Sequence, residues 1–561
     1  MIRRPSTPMI FFIGFSFLFL IPLFFMVYGS LVPSYGSTKF TLSFIVKAFT
    51  SNQTSSVILN TLEYGFGAGV LSTAITSPLA WLVARTDVPG RRLFEGLAVM
   101  RLAVPLIVEA FSWIFLLSPR IGLINIALER LLGINHPLFN IYSIWGLILA
   151  WGIGGIPFAF LVLEPAFRAV DPSLEDASRT CGAGVLRTFF TVTIPIIAPA
   201  FFSVFLLISL GGLENFDYPL ILGQTGGIQT LATRIYALMD FDQASQAAAD
   251  GIIYIIITLI ILTIYIWITQ RSYRFVTVLG NAVSQTRVKL GIWKWPAFFF
   301  IALIVFISFV LPIAILTLVS LVPYYSVVGV ANPFSTLTLS NYFAAVKIPT
   351  FREALVNSFE LTIAAGVLTT ILGAMMSYVL IKGKERGKKI LYFISHLPLA
   401  FPGVVYQIAL IWTFLVIPLF SSYLYGSLWL MLVALMIVWV PYSIRIISPA
   451  LTQLSNDLEE SAAVSGSGWA RRFRTVTLPL LRSAIVNSFT YVMLNSFREL
   501  GPIVLLYSSS SIVLIILLDN VYSSDTSFPT IAALSVLMIA MLGVTLLITR
   551  LVSRPKFQRL P

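Results

Sequence analysis

The sequence predicts an all-α polytopic membrane protein with about 12 transmembrane helices, arranged as two parallel six-helix repeats. Three observations predict it. The chain is 58% hydrophobic and only 11% charged, where soluble domains are about half apolar and about a quarter charged. Its apolar residues fall in long blocks, such as the uncharged stretches 8–31 and 251–269, each close to the ~20 residues that cross a bilayer as a helix. The second half of the chain also repeats the first.

In chain order the expected spans are 9–31, 57–84, 93–117, 143–164, 194–222 and 251–269, then 295–322, 354–381, 390–416, 424–449, 479–506 and 529–549. The first follows two arginines, as a secretory signal would. Its apolar run is longer than a signal's, and no small-x-small cleavage site follows, so it is read as a retained span. The gaps between spans alternate in charge. Odd-numbered gaps hold few basic residues: Lys39, Lys47, Arg120, Arg130, Arg234, Lys347 and Arg352. Even-numbered gaps and the two termini hold most of the rest, which is the positive-inside pattern and places both termini in the cytoplasm. Topology thus accounts for the net charge of +13, and no nucleic-acid partner is needed. Membrane lipid is the expected surrounding.

The repeat is visible at the level of residues. Thr41-Leu42-Ser43, Asn60-Thr61-Leu62-Glu63, Gly90-Arg91-Arg92 and Pro105 recur 297 positions later as Thr338-Leu339-Ser340, Asn357-Ser358-Phe359-Glu360, Gly387-Lys388-Lys389 and Pro402. Further on the offset is 284. The first half therefore carries a surplus, assigned to a long outer loop at 118–142. The expected units are 1–269, a cytoplasmic linker at 270–294, and 295–561. Six spans per half is an even number, so both halves enter the membrane in the same sense, with a pathway between them.

The loop after the fourth span of each half is duplicated most strictly. The first runs over 171–195 and contains Leu174-Glu175-Asp176-Ala177, Gly182, Gly184, Phe189, Thr191-Val192-Thr193 and Pro195. The second, over 455–479, contains Leu458-Glu459-Glu460-Ser461-Ala462, Gly466, Gly468, Phe473, Thr475-Val476-Thr477 and Pro479. Each predicts a short helix capped by Asp171 or Ser455, a glycine turn, a second short helix, and a proline opening the next span. A lever of that shape projects from the membrane and fits a groove on a partner.

This spacing resembles the EAA loop of permeases of binding-protein-dependent ABC importers. In that pattern an acid is followed by small residues, then by a glycine and a proline. Asp176, Gly182 and Pro195 match it, as do Glu460, Gly466 and Pro479. The departures are Asp176 in place of glutamate, and Ser178 and Ser461 in place of alanines. Stretches 84–92, 397–403 and 498–506 are similar to fused permeases of the iron(III), thiamine, phosphonate and polyamine group. The resemblance implies that two separate cytoplasmic ATP-binding cassette subunits dock on Glu175, Asp176, Ala177, Gly182 and Pro195 and on Glu459, Glu460, Ala462, Gly466 and Pro479. It also implies an extracytoplasmic substrate-binding protein. ATP and magnesium belong to the partner ATPase, so no cofactor is expected in this chain. The nearest approach to a phosphate-binding loop, 383–389, has the wrong glycine spacing and ends in Lys389 where a hydroxyl should hold magnesium. Enzymatic activity is not expected of the permease itself.

No metal centre is expected either, since the chain has one cysteine, Cys181, and two distant histidines, His136 and His396. Charges inside spans are costly and face protein or a water-filled path. Arg101 and Glu109, which lie two turns apart, Glu214 and Asp217, and Arg498 and Glu499 fall inside spans. Arg101, Glu214, Asp217, Arg498 and Glu499 are candidates for the translocation pathway or its gate, with a packing role equally open to Arg498. The function read from the sequence is an ATP-driven importer permease working by alternating access, with iron(III) or another small solute as substrate. The alternatives are importers of thiamine, phosphonate, polyamine or sugar, and a secondary transporter with two six-helix halves. Asp87, Gly90, Arg91 and Arg92 are similar to an inner-loop motif of that last class.

Overall fold

The computed structural model describes residues 7–91, 94, 96, 101, 104–240, 243–272, 288–325, 337–383, 388–417, 424–524 and 527–553. Among these residues the regular secondary structure is helical, with one isolated bridge between Thr86 and Val288. The first half supplies α1 (Thr7–Ser30), α2 (Asn52–Arg85), α3 (Leu106–Leu117), α4 (Ile144–Gly154), α5 (Ile156–Arg168), α6 (Pro172–Thr180), α7 (Ile194–Glu214), α8 (Leu231–Asp240) and α9 (Ala244–Ser272). The second half supplies α10 (Gly291–Ser320, interrupted by a π turn), α11 (Phe351–Lys382), α12 (Gly403–Val416), α13 (Leu428–Gln453), α14 (Asn456–Val464), α15 (Arg482–Arg498), α16 (Leu514–Ser523) and α17 (Phe528–Ser553).

Among the described residues, eight helices are long and apolar enough to cross a membrane. Two bent helix pairs are apolar enough when taken together: α4 and α5 meet at 47°, and Ile390–Ala400 meets α12 at 105°. The expected ninth span is thus broken rather than continuous. Pro402 sits in extended backbone at the start of α12 and cannot donate to a helix ladder, so the chain turns there. Pro105 starts α3 in the same way; most of the expected third span before it lies outside the described residues. The fifth and eleventh spans end as regular helix at Glu214 and Arg498, short of the expected 222 and 506. A π turn at Pro219–Gly223 and a run of turns at 501–506 complete them. Two short buried helices follow, α8 and α16, in what read as outer loop.

The second span lies at the centre of each half. Helix α2 packs on α4, α5 and α7, and α11 packs on α13 and α15. Small residues line the buried faces: Thr61, Gly65, Ala68, Gly69 and Ser72 on α2, and Ala365, Gly366, Thr369, Gly373 and Ser377 on α11. In a membrane, where lipid is as apolar as any side chain, close backbone approach over such residues supplies the packing energy. The halves exchange their first spans: α1 lies against α11 and α12 as well as its own α9, and Leu311–Ser320 of α10 lies against α3 as well as α17.

The repeated Asn-Thr/Ser pair acquires a purpose here. Asn60 Nδ2 donates to the Gln229 carbonyl at 3.1 Å, and Asn357 Nδ2 to that of Ile512 at 2.9 Å. Next to them, Thr61 Oγ1 accepts from Leu231 N at 2.9 Å and Ser358 Oγ from Leu514 N at 2.7 Å. Both pairs satisfy free backbone groups at the N-termini of α8 and α16. The outer surplus at 118–142 is also ordered by one amide: Asn125 Nδ2 donates to Leu117 O, Ser118 O and Phe139 O, and its Oδ1 accepts from Phe139 N. The linker between α9 and α10 falls largely at 273–287, outside the described residues. Its end is strapped to the chain beyond α2, where Val288 N donates to Arg85 O at 2.9 Å and Leu290 N to Asp87 Oδ1 at 2.9 Å.

Candidate functional site

The loop between α5 and α7 begins with Asp171, whose Oδ1 accepts from Ser173 N at 2.9 Å, while Pro172 occupies the first turn of α6. The Ser173 backbone N–H holds the Asp171 carboxyl below the usual carboxylate range. Helix α6 ends in a Schellman motif: Gly182 takes φ +85°, Gly182 N donates to Arg179 O, and Ala183 N donates to Ser178 O at 3.2 Å. The chain then re-forms helix at Val185–Thr188 and passes through a π turn, Phe189–Thr193, directly into α7, with Pro195 in its first turn.

The second loop repeats this construction. Ser455 Oγ accepts from Asp457 N at 3.2 Å, α14 ends where Gly466 takes φ +78°, and Ser467 N donates to Ala462 O at 3.1 Å. Trp469–Arg472 and the π turn Phe473–Thr477 lead through Pro479 towards α15. In each half the helix, glycine turn and second helix expected from spacing are present; the second arm runs unbroken into α7 in the first half, and reaches α15 through a turn at Leu481 in the second. Asp176, Ala177, Gly182, Pro195, Glu460, Gly466 and Pro479 are exposed, and Ala462 is half-buried. A Cβ on Gly182 or Gly466 would meet no atom within 4 Å. Positive φ, not crowding within the chain, is what asks for glycine there.

Glu175 is placed differently from its neighbours. It is buried, with Oε2 2.6 Å from Arg85 Nη2 and Oε1 accepting from Thr193 Oγ1 at 2.8 Å. Arg85 Nη1 also donates to Val170 O at 2.9 Å. One carboxylate thereby ties the first arm of the loop to the end of α2 and to the base of α7. Arg85 was not singled out from the sequence. The signal for it was the second basic residue at the 297 offset, Lys382, whose Nζ donates to Leu454 O at 2.6 Å. Leu454 is the counterpart of Val170 at the 284 offset. The side chain of Glu459 lies outside the described residues.

The intramembrane charges fall into two groups. Arg101 pairs with Glu109 and donates from Nη1 to Gly154 O at 2.9 Å and from Nε to Ser308 O at 2.5 Å. Trp113 Nε1 donates to Glu109 at 3.3 Å. This pair is fully engaged, with contacts reaching the bend between α4 and α5 and the first span of the other half. The second group joins the ends of α7 and α15. Glu214 Oε1 and Asp217 Oδ1 are buried without a hydrogen-bond partner. Glu499, from the opposite half, acts electrostatically on both, and Arg498 acts on Asp217. Acids of both halves thus stand at the ends of α7 and α15, and Arg101 is held by Glu109 instead.

Residues 76–278 and 366–556 each match the family described as binding-protein-dependent transport system inner membrane component, and each match contains one complete loop. FbpB 1 of Haemophilus influenzae, named for a ferric transport system permease, is 27% identical over 88% of this chain and 77% of its own length. The ferric transport system permease protein FbpB of Actinobacillus pleuropneumoniae is 25% identical over 94% and 76%. The sn-glycerol-3-phosphate transport system permease protein UgpA of Yersinia pseudotuberculosis is 29% identical over 43% of this chain and 82% of its own. With the family's unit present twice, each copy holding its own helix–glycine–helix loop, the chain belongs to the binding-protein-dependent transport system inner membrane components, as a two-in-one, multi-pass permease of the ABC importer type.

Proposed function

We propose that this permease forms the translocation pathway of an ATP-driven iron(III) importer and works by alternating access. The observation that carries the reading is the pair of like loops, each exposing an acid and a glycine turn and each leading into a helix, α7 or α15, with acids at its far end. Two separate ATPase subunits seat on α6 and α14, and their closure on ATP tilts α7 and α15. Hydrolysis and its magnesium belong to those subunits. The basic loops and both termini face the cytoplasm, as their charge directs. An extracytoplasmic binding protein delivers the substrate from the opposite side. Iron(III) is favoured by the names of the relatives that match most of the chain. A secondary-transporter reading finds less support, because Asp87 already caps the linker end at Leu290.

The test is substitution of Gly182 or Gly466 by tryptophan in the reconstituted complex. Open space around both positions lets the chain fold, with a backbone strain of about 1–2 kcal/mol. The indole then stands in the partner's groove. ATP-dependent iron(III) uptake is expected to fall at least about tenfold, as a misfit of about 1.4 kcal/mol suffices to produce, while the variant reaches the membrane normally. Undiminished uptake by both variants contradicts the reading.

A further inference from the structure

Each first span carries a proline four residues after a carbonyl that the opposite half captures. Ser30-Leu31-Val32-Pro33 recurs as Ser320-Leu321-Val322-Pro323, an offset of 290. Leu31 O and Leu321 O accept equivalent bonds from Thr41 N and Thr338 N, at 2.8 and 2.6 Å. At this offset Pro22 corresponds to Pro312, and Leu18 to Ser308. A proline has no N–H, so the carbonyl four residues before it loses its helical donor. In the first half the freed carbonyl is Leu18 O, and Tyr406 Oη donates to it at 2.8 Å. In the second it is Ser308 O, and Arg101 Nε donates to it at 2.5 Å.

The elements that supply the donors are matched, although the donors are not. Tyr406, four residues past Pro402, corresponds at the 297 offset to Glu109, four residues past Pro105. Glu109 is the carboxylate that pairs with Arg101, and the donor Arg101 lies four residues before Pro105. Tyr406 is buried and its ring stacks on Phe19, with centroids 5.9 Å apart, while Phe401 meets Phe19 edge-on. Arg101, Glu109 and Ser308 are buried too. The same joint has thus been built twice with different chemistry, a phenol in one half and an ion pair in the other. A buried bond at this place keeps the exchanged first span seated on the other half's third-span element.

We propose that Pro22 with Tyr406, and Pro312 with Arg101 and Glu109, are two equivalent joints between the halves, and that Tyr406 and Arg101 are positioning residues for transport. They touch no substrate. They set where each exchanged span sits while the halves move, and so govern how much transport each hydrolysed ATP yields. The proposal rests on the importer reading only for that last consequence.

The experiment uses the full complex in proteoliposomes, with iron(III) presented by the binding protein, and compares the parent with Tyr406→Phe, Pro22→Ala and the double variant. Iron(III) moved per ATP hydrolysed is read at equal amounts of assembled complex. Tyr406→Phe is expected to lower this ratio about three- to tenfold, the scale of one buried hydrogen bond. Pro22→Ala restores a helical donor to Leu18 O and lowers it in the same direction. The double variant is expected to fall no further than the worse single one, because both act on one carbonyl. The same non-additivity is expected in the apparent unfolding temperature, which reports the joint even if the parent moves no iron(III); that latter result would overturn the importer reading alone. A coupling ratio unchanged by Tyr406→Phe in a transporting parent, or independent losses that multiply in the double variant, overturns the joint.

Discussion

Glu175 shows how one side chain can make a surface loop rigid. Its two oxygens serve Arg85 and Thr193 separately, so α6 cannot shift without breaking a buried ion pair and a buried hydroxyl bond together. Such a pair is a poor source of net stability, because desolvation offsets most of the attraction, but losing one partner strands a charge. Glu175→Ala is therefore expected to cost about 3–5 kcal/mol, seen as a lower apparent unfolding midpoint and less protein in the membrane. Replacing both members, Arg85→Met with Glu175→Leu, is expected to recover most of that loss. Asp176, one residue on, is exposed, and the same measurement on Asp176→Ala should show almost no change. The sequence presented the two acids as equivalent partners for a docking subunit. Only the fold separates the brace from the contact, since the helical turn that buries one acid presents the other to solvent.

At the scale of elements, the duplicated loops were legible because their rules are local. A capping acid or serine, a glycine at positive φ and a proline in the first turn act within a few residues, so spacing alone located them. The span ends were not legible. The break at Pro402 lies within apolar sequence, where hydropathy cannot tell helix from buried turn. The short helices α8 and α16, ten residues each, are too short to read as spans, although the repeated Asn60 and Asn357 marked what holds them. Asn357→Ala leaves two carbonyls, Ser510 O and Ile512 O, without their amide donor. It is expected to cost about 1–3 kcal/mol, and more than Asn60→Ala, which uncovers only Gln229 O; thermal unfolding of the two variants side by side gives the comparison.

Over the whole molecule, the two halves are alike in frame and different in charge. The frame is a central second span with small residues and an exchanged first span; the fourth element is bent in the first half and the third is broken in the second. The twofold plan was readable from repeats at fixed offsets. The exchange of first spans was not, because contact between distant segments leaves no local pattern in sequence. The charge difference shows at the ends of α7 and α15, where the first half has Glu214 and Asp217 and the second Arg498 and Glu499, while the loops at the basic end stay alike. Matched loops and unmatched acids are what the proposed importer requires, with one motor subunit on each loop and a single cargo between the halves.

The most direct test of that claim is to isolate the chain gently from its native membrane, with single cysteines placed at Asp176 and Glu460 in a chain lacking Cys181, and to identify what each cysteine cross-links. The account predicts one ATPase subunit on each loop, two per chain, with hydrolysis required for uptake. Transport that persists on an ion gradient with no ATPase bound to either loop would contradict it.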